Sequence, residues 1–319
     1  MTGPAPAVRW LPPPGLVARA AALVLAAVVP VAVAWWLLEG GIAQSVYLGM
    51  TFMTVAAGRL RPVEQCAAGL CAGLAAAVGT LVAGHTPALL VAVAAACAAQ
   101  AAFNRRSAGT AALLPSNLVL YAALAPGRPL GVAAATWLGA GIVIVLAAVL
   151  RLRLPASPAP ARDVVAHAAE LAFGCVALIL VSEALDLPRG NWAVLTLCLV
   201  FVPTVHETRR RVLHRALGTA LGAVAAVAVA VVAPSALCFA LAALCAVLTV
   251  AYALLPDDLL YAAFLTPTVL LLFSSGRAHA TVEVAVQRVE MTVAGGGLAL
   301  VLTWVTAWWL RRRPGPAPP

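Results

Sequence analysis

Lysine is absent from this chain of 319 residues; all 20 basic residues are arginine. Beside so much alanine, that absence reads as coding bias and carries no chemistry. Charge of either sign is scarce. It makes up 10% of residues, where a soluble domain carries about 25%. No hydrophilic block is long enough to fold as a separate soluble domain. The seven cysteines (66, 71, 97, 175, 198, 238 and 245) form no C-x-x-C pair and all lie in apolar segments. They read as small packing residues, not as metal ligands or a disulfide framework. One His-x-x-Glu occurs, His167 to Glu170, and no second one matches it, so a metal site of the helix-bundle kind lacks its other ligands. Clustered carboxylates and a nucleophile with its base are missing too. A membrane-embedded enzyme is therefore the weakest reading, and neither enzymatic activity, a metal nor another cofactor is expected.

What is present is apolar. Hydrophobic residues make up 64% of the chain and the mean hydropathy is +1.02. The net charge of +9 could point to nucleic acid. The arginines, however, sit in short segments between apolar runs, where they act as topology determinants. The expected partner is the lipid bilayer, with no nucleic acid, and the surface leaves room for a homo-oligomer.

A membrane span needs roughly 17–25 apolar residues. Twelve candidates can be drawn, at 16–38, 42–58, 63–83, 87–103, 107–125, 130–150, 164–185, 190–204, 212–232, 235–254, 258–275 and 284–310. The first resembles a signal peptide but is long for one, and reads as an uncleaved first helix. The eighth is short. The stretch Leu154 to Ala161 is linker-like. The expected fold is all-α, a polytopic membrane protein of about 12 transmembrane helices. The division is 1–153 for a first six-helix repeat, 154–162 for a linker, 163–313 for a second repeat and 314–319 for a disordered tail.

Orientation follows from arginine. With the N-terminus inside, the inner segments hold residues 9, 19, 59, 61, 105, 106, 151, 153, 162, 209, 210, 211, 215, 311, 312 and 313, and the outer ones only 128, 189, 277 and 288. The bias predicts a multi-pass cell-membrane protein with both termini cytoplasmic.

The two halves repeat features. Gly69-x-x-x-Gly73 parallels Gly218-x-x-x-Gly222, and Gly127-Arg128 parallels Gly276-Arg277. Thr136-x-x-Gly139-x-Gly141 parallels Thr292-x-x-Gly295-x-Gly297, and Pro115-Ser116-Asn117 roughly parallels Thr266-Pro267-Thr268. Six spans per half is an even number, which predicts parallel repeats. The charges are not repeated. Cys66 and Val132 stand where the second half has Arg215 and Arg288.

The stretch from Arg189 to Gly222 is the organising one. A short apolar helix from Asn191 to Pro203 precedes a basic loop with Arg209, Arg210 and Arg211. A second helix then opens with Arg215-x-x-x-Thr219-x-x-Gly222. The spacing returns as Arg288-x-x-x-Thr292-x-x-Gly295, and in each case the three residues share one helix face. Arg215 and Arg288 are expected in the first turn of their helices. They are anchors that snorkel to the interface, or binders of a carboxylate through paired hydrogen bonds. Glu290 lies off the Arg288 face and either pairs with another helix or carries a proton. Glu207 pairs with Arg210 or Arg211, and Asp257 and Asp258 cap a helix. Pro115 and Pro267 are expected near the middle of their spans, beside Asn117 and Thr268, where each frees a backbone carbonyl toward a cavity or a neighbouring helix. Corresponding interruptions in two repeats mark a transport path.

The block Trp192 to Gly222, with RALGTALG from Arg215, and the later RVEMTVAG from Arg288 to Gly295 together resemble the fusaric-acid-resistance-like, or aromatic acid exporter, family. The plant aluminium-activated malate channels look similar in their six-span unit. The resemblance covers about 190–310 and is weaker over the first half. It implies a membrane transporter that exports small, often aromatic, organic acids. The alternative is a passive organic-anion channel with arginines lining a pore.

Overall fold

The computed structural model describes residues 12–37, 40–107, 113–124, 127–153, 160–202, 205–255, 257–274 and 277–312. Residues 154–159 of the expected linker, Gly276 of one repeat match, and the tail lie outside them. The described residues form twelve helices: α1 (Pro14–Leu37), α2 (Gly40–Arg59), α3 (Pro62–Leu81), α4 (Thr86–Asn104), α5 (Leu113–Leu124) and α6 (Pro129–Val149), then α7 (Ala161–Ala184), α8 (Asn191–Val200), α9 (Val205–Val232), α10 (Ser235–Leu254), α11 (Asp258–Phe273) and α12 (Ala278–Arg312).

Seven of these, α3, α4, α6, α7, α9, α10 and α12, are long and apolar enough to cross a membrane. The chain is a polytopic helical membrane protein. At 12, 10 and 16 residues, α5, α8 and α11 are short. Several helix starts follow from local chemistry. Pro62 opens α3, where the Arg61 amide donates to the Glu64 carboxylate at 3.1 Å. The Asp257 carboxylate accepts from the amides of Leu259 and Leu260 at 3.2 and 3.0 Å, which is the cap the sequence leads one to expect.

The two sets of six helices use the same partners. In the first, α2 packs on α6, α3 on both α5 and α6, and α4 on α5; in the second, α8 packs on α12, α9 on both α11 and α12, and α10 on α11. Three seams join the sets, α4 on α7, α1 on α10 and α5 on α8. Glycines make the closest approaches. A Cβ at Gly139 of α6 would strike the Val46 carbonyl of α2, and one at Gly295 of α12 would strike the Ala193 carbonyl of α8.

Three expectations are corrected. Gly69 and Gly73 face Ala140 and Trp137 of α6, whereas Gly218 and Gly222 face Leu259 and Ala263 of α11. The matching spacing therefore serves different neighbours. The α3 glycine that meets α5 is Gly79, against the Leu118 carbonyl. Arg209 to Arg211 are not a loop. They continue α9, held by Glu207, which accepts from Arg210 at 2.9 Å and Arg211 at 3.0 Å. Pairs at i+3 and i+4 are helix contacts, so the arginine triplet extends the helix instead of ending it. Arg215 and Arg288 each lie ten residues into their helices, about 15 Å along the axis, and so not in the first turn. The residues just before Leu113 lie outside the described ones, so the place of Pro115 along its span is not among the described features. Pro267 does lie inside α11.

Candidate functional site

α9 and α12 carry the site. Arg215 and Arg288 are buried, at 5% and 7% exposure, and close enough to feel each other's charge. Each lies over an aromatic face. The Arg288 guanidinium carbon is 5.0 Å from the Trp192 ring of α8, and that of Arg215 is 5.7 Å from the Tyr261 ring of α11. Among the described residues, neither arginine has an acidic partner, and the Nε of each has no hydrogen-bond acceptor. The ion pairs that are described all lie elsewhere, at Arg106–Glu64, Arg210–Glu207, Arg210–Asp258 and Arg211–Glu207.

Hydroxyls accompany the pair. Thr292 donates to the Arg288 carbonyl at 2.7 Å, one turn back along α12. Thr219 lies one turn along α9 from Arg215, and its buried Oγ1 is unpartnered, as is that of Thr196 on α8. A charge at mid-bilayer costs about 2.5–3.5 kcal/mol on insertion scales, so the pair costs about twice that before its own repulsion. Each desolvated cation–π contact returns about 2 kcal/mol. Together they leave two guanidinium groups under-satisfied.

Other residues singled out by the sequence lie elsewhere. Glu290 is exposed, on a different face of α12 from Arg288. Asn117 of α5 donates to the Ala72 carbonyl of α3 at 2.7 Å, and its Oδ1 is unpartnered. Thr268 of α11 donates to the Phe264 carbonyl of its own helix at 2.9 Å. None of the described contacts joins Asn117 or Thr268 to the arginine pair. His167 stacks on Phe201, with 4.7 Å between ring centres, while Glu170 accepts from Thr306 at 2.6 Å, so the two do not act as one ligand pair. No group of three potential metal ligands stands together among the described residues.

Trp192 and Tyr261 are the residues that sequence reasoning missed. Their role depends on which helix packs beside which, and no spacing along the chain encodes that. Trp192 also meets Arg189, whose guanidinium carbon is 5.3 Å from the ring. Arg189 lines a cavity of about 350 Å³ between α4, α5, α7 and α8, together with Glu183, Asp186 and Asn191.

Residues 175–302 match the family model described as fusaric acid resistance protein-like. That span takes in Trp192, Arg215, Tyr261 and Arg288. No curated protein and no solved structure matches the chain. Over residues 175–302, then, this helical membrane protein is similar to the fusaric acid resistance protein-like family, and that match supports a membrane-transport function of the efflux type.

Proposed function

We propose that the protein exports small organic anions, aromatic carboxylates among them, across the cell membrane, and that the carboxylate binds between Arg215 and Arg288. One observation carries this reading: two neighbouring buried guanidinium groups with no acidic partner among the described residues. Guanidinium binds carboxylate through two parallel charge-assisted hydrogen bonds. Thr219 and Thr292 share the faces of the two arginines and extend the polar surface, while Trp192 and Tyr261 offer aromatic walls. Such walls suit an acid whose other end is a ring. The test is retention of labelled benzoate in cells with and without the protein, with and without a proton uncoupler. Lower retention in expressing cells is expected. Equal retention for benzoate and for other small organic anions overturns the reading. Flux that survives the uncoupler and follows voltage alone identifies the channel form.

We further propose that residues 1–153 and 163–313 are parallel repeats with both termini and the linker in the cytoplasm. Shared helix partners support this, as does the arginine bias, which holds without Arg215 and Arg288, both buried within their helices. Reporter fusions placed after Ser157 and after Pro319 should both report cytoplasmic. An external signal from either defeats the arrangement.

A further inference from the structure

At 20 residues, α2 is long enough to span, yet it is not among the seven helices apolar enough to do so. Apart from the buried Ser45 and the terminal Arg59, its polar side chains lie on one face. Tyr47, Thr51, Thr54 and Gly58 follow one another at helical spacing. Tyr47 is 47% exposed, Thr51 is exposed, and the other two are half-buried. The opposite face, with Val46, Gly49, Met53 and Ala56, is buried. Thr51 and Thr54 donate within their own helix, to the Tyr47 and Met50 carbonyls at 2.9 and 2.8 Å, so each hydroxyl has to turn from its carbonyl to donate to an anion.

Two neighbours show where the stripe faces. Tyr47 lies within electrostatic reach of Tyr261, the residue beneath Arg215. Arg59, the last residue of α2, lies in the field of Arg211 and Asp258. These partners belong to α9 and α11, yet α2 packs chiefly on α6, α1 and α3. In the other six-helix set, α8 takes the place of α2, and α8 does pack against α5. One of the two related seams is therefore closed, whereas α2 and α11 are not among the closely packed helix pairs. A polar stripe at bilayer depth is tolerated where it is buried in protein or lines a water-filled cavity.

We propose that the anion path runs in the gap between α2 and α11, with Tyr47 and Thr51 as a hydroxyl wall opposite Arg215 and Arg288, and Arg59 at the arginine-rich mouth. The proposal rests on the reading of the arginine pair as an anion site. Neutral hydroxyls on one side hold a passing anion weakly enough to release it, which conduction requires.

The test is thiol accessibility in membranes. Thr51→Cys and Tyr47→Cys are made on a Cys66→Ala background, since Cys66 is the exposed native thiol. Leu244→Cys, exposed on the strongly apolar α10, is the lipid-side reference. A charged, water-soluble methanethiosulfonate should modify positions 47 and 51 at least tenfold faster than 244, and benzoate should slow the reaction at 51. Modification as slow as at 244 overturns the path and leaves the arginine site standing. A disulfide between the Thr51→Cys residues of two chains also overturns it, because the stripe is then a subunit contact. Fast modification together with normal export by Arg288→Gln keeps the gap and removes the arginine site.

Discussion

Arg288→Gln should lower export of benzoate at least tenfold while the amount of inserted protein stays level or rises. The two halves of that expectation have different origins. Losing a hydrogen-bonded charge contact to the anion costs about 1.5–3 kcal/mol, and each 1.4 kcal/mol is a factor of about ten. Glutamine keeps a polar tip but no charge. It therefore removes the desolvation cost of a guanidinium that has no acidic partner among the described residues, and it relieves repulsion on Arg215. A residue held at a cost to stability is expected to repay it in function. Arg288→Lys should fall between the two, because lysine keeps the charge and loses the planar fork. The readout is transport normalised to immunoblotted membrane protein. If Arg288→Gln is normally inserted and exports as well as the parent, Arg288 is an anchor and the carboxylate binds elsewhere.

A large effect on stability is expected at Gly295. A Cβ there would strike the Ala193 carbonyl, with the Leu197 amide nitrogen and Thr196 Cβ each at 3.0 Å. Two of these three obstacles are backbone, which cannot rotate aside. Overpacking costs about 1–3 kcal/mol in a tight core, and the clash with α8 also pushes Trp192 away from Arg288. Gly295→Ala should melt well below the parent in detergent, and Gly295→Leu should not accumulate. Two residues along the same helix, Gly297 has nothing within 4 Å of an added Cβ. Gly297→Ala should be neutral or stabilising by up to about 1 kcal/mol. Equal melting of Gly295→Ala and Gly297→Ala would show that the α8–α12 contact does not limit stability.

Which features were legible in the sequence depends on whether they are local. The helices and their order follow from apolar runs, as do the brevity of α8 and the Asp257 cap. The Arg–Thr–Gly spacing on α9 and α12 depends only on helical period, and it does place Thr219 and Thr292 one turn from buried arginines. Arg209 to Arg211 read as a loop because positive charge in a membrane chain marks loops. Glu207 outweighs that signal by pairing along the helix. The glycine matches between halves were half right. Gly139 and Gly295 meet equivalent neighbours, while Gly73 and Gly222 do not, because spacing defines a face but not the helix opposite it. Trp192 and Tyr261 were out of reach for the same reason.

The buried arginine pair also has an electrical consequence. On the proposed reading, two fixed positive charges in the low-dielectric interior would set the sign of the ion that dwells there and disfavour cations of any size. A monoanion crossing alone carries current. In a cell whose interior is negative by 100 mV, each such charge moving outward gains about 2.3 kcal/mol, roughly a fiftyfold concentration ratio at equilibrium. The resting voltage by itself would suffice to clear the cytoplasm of that anion and to oppose its return.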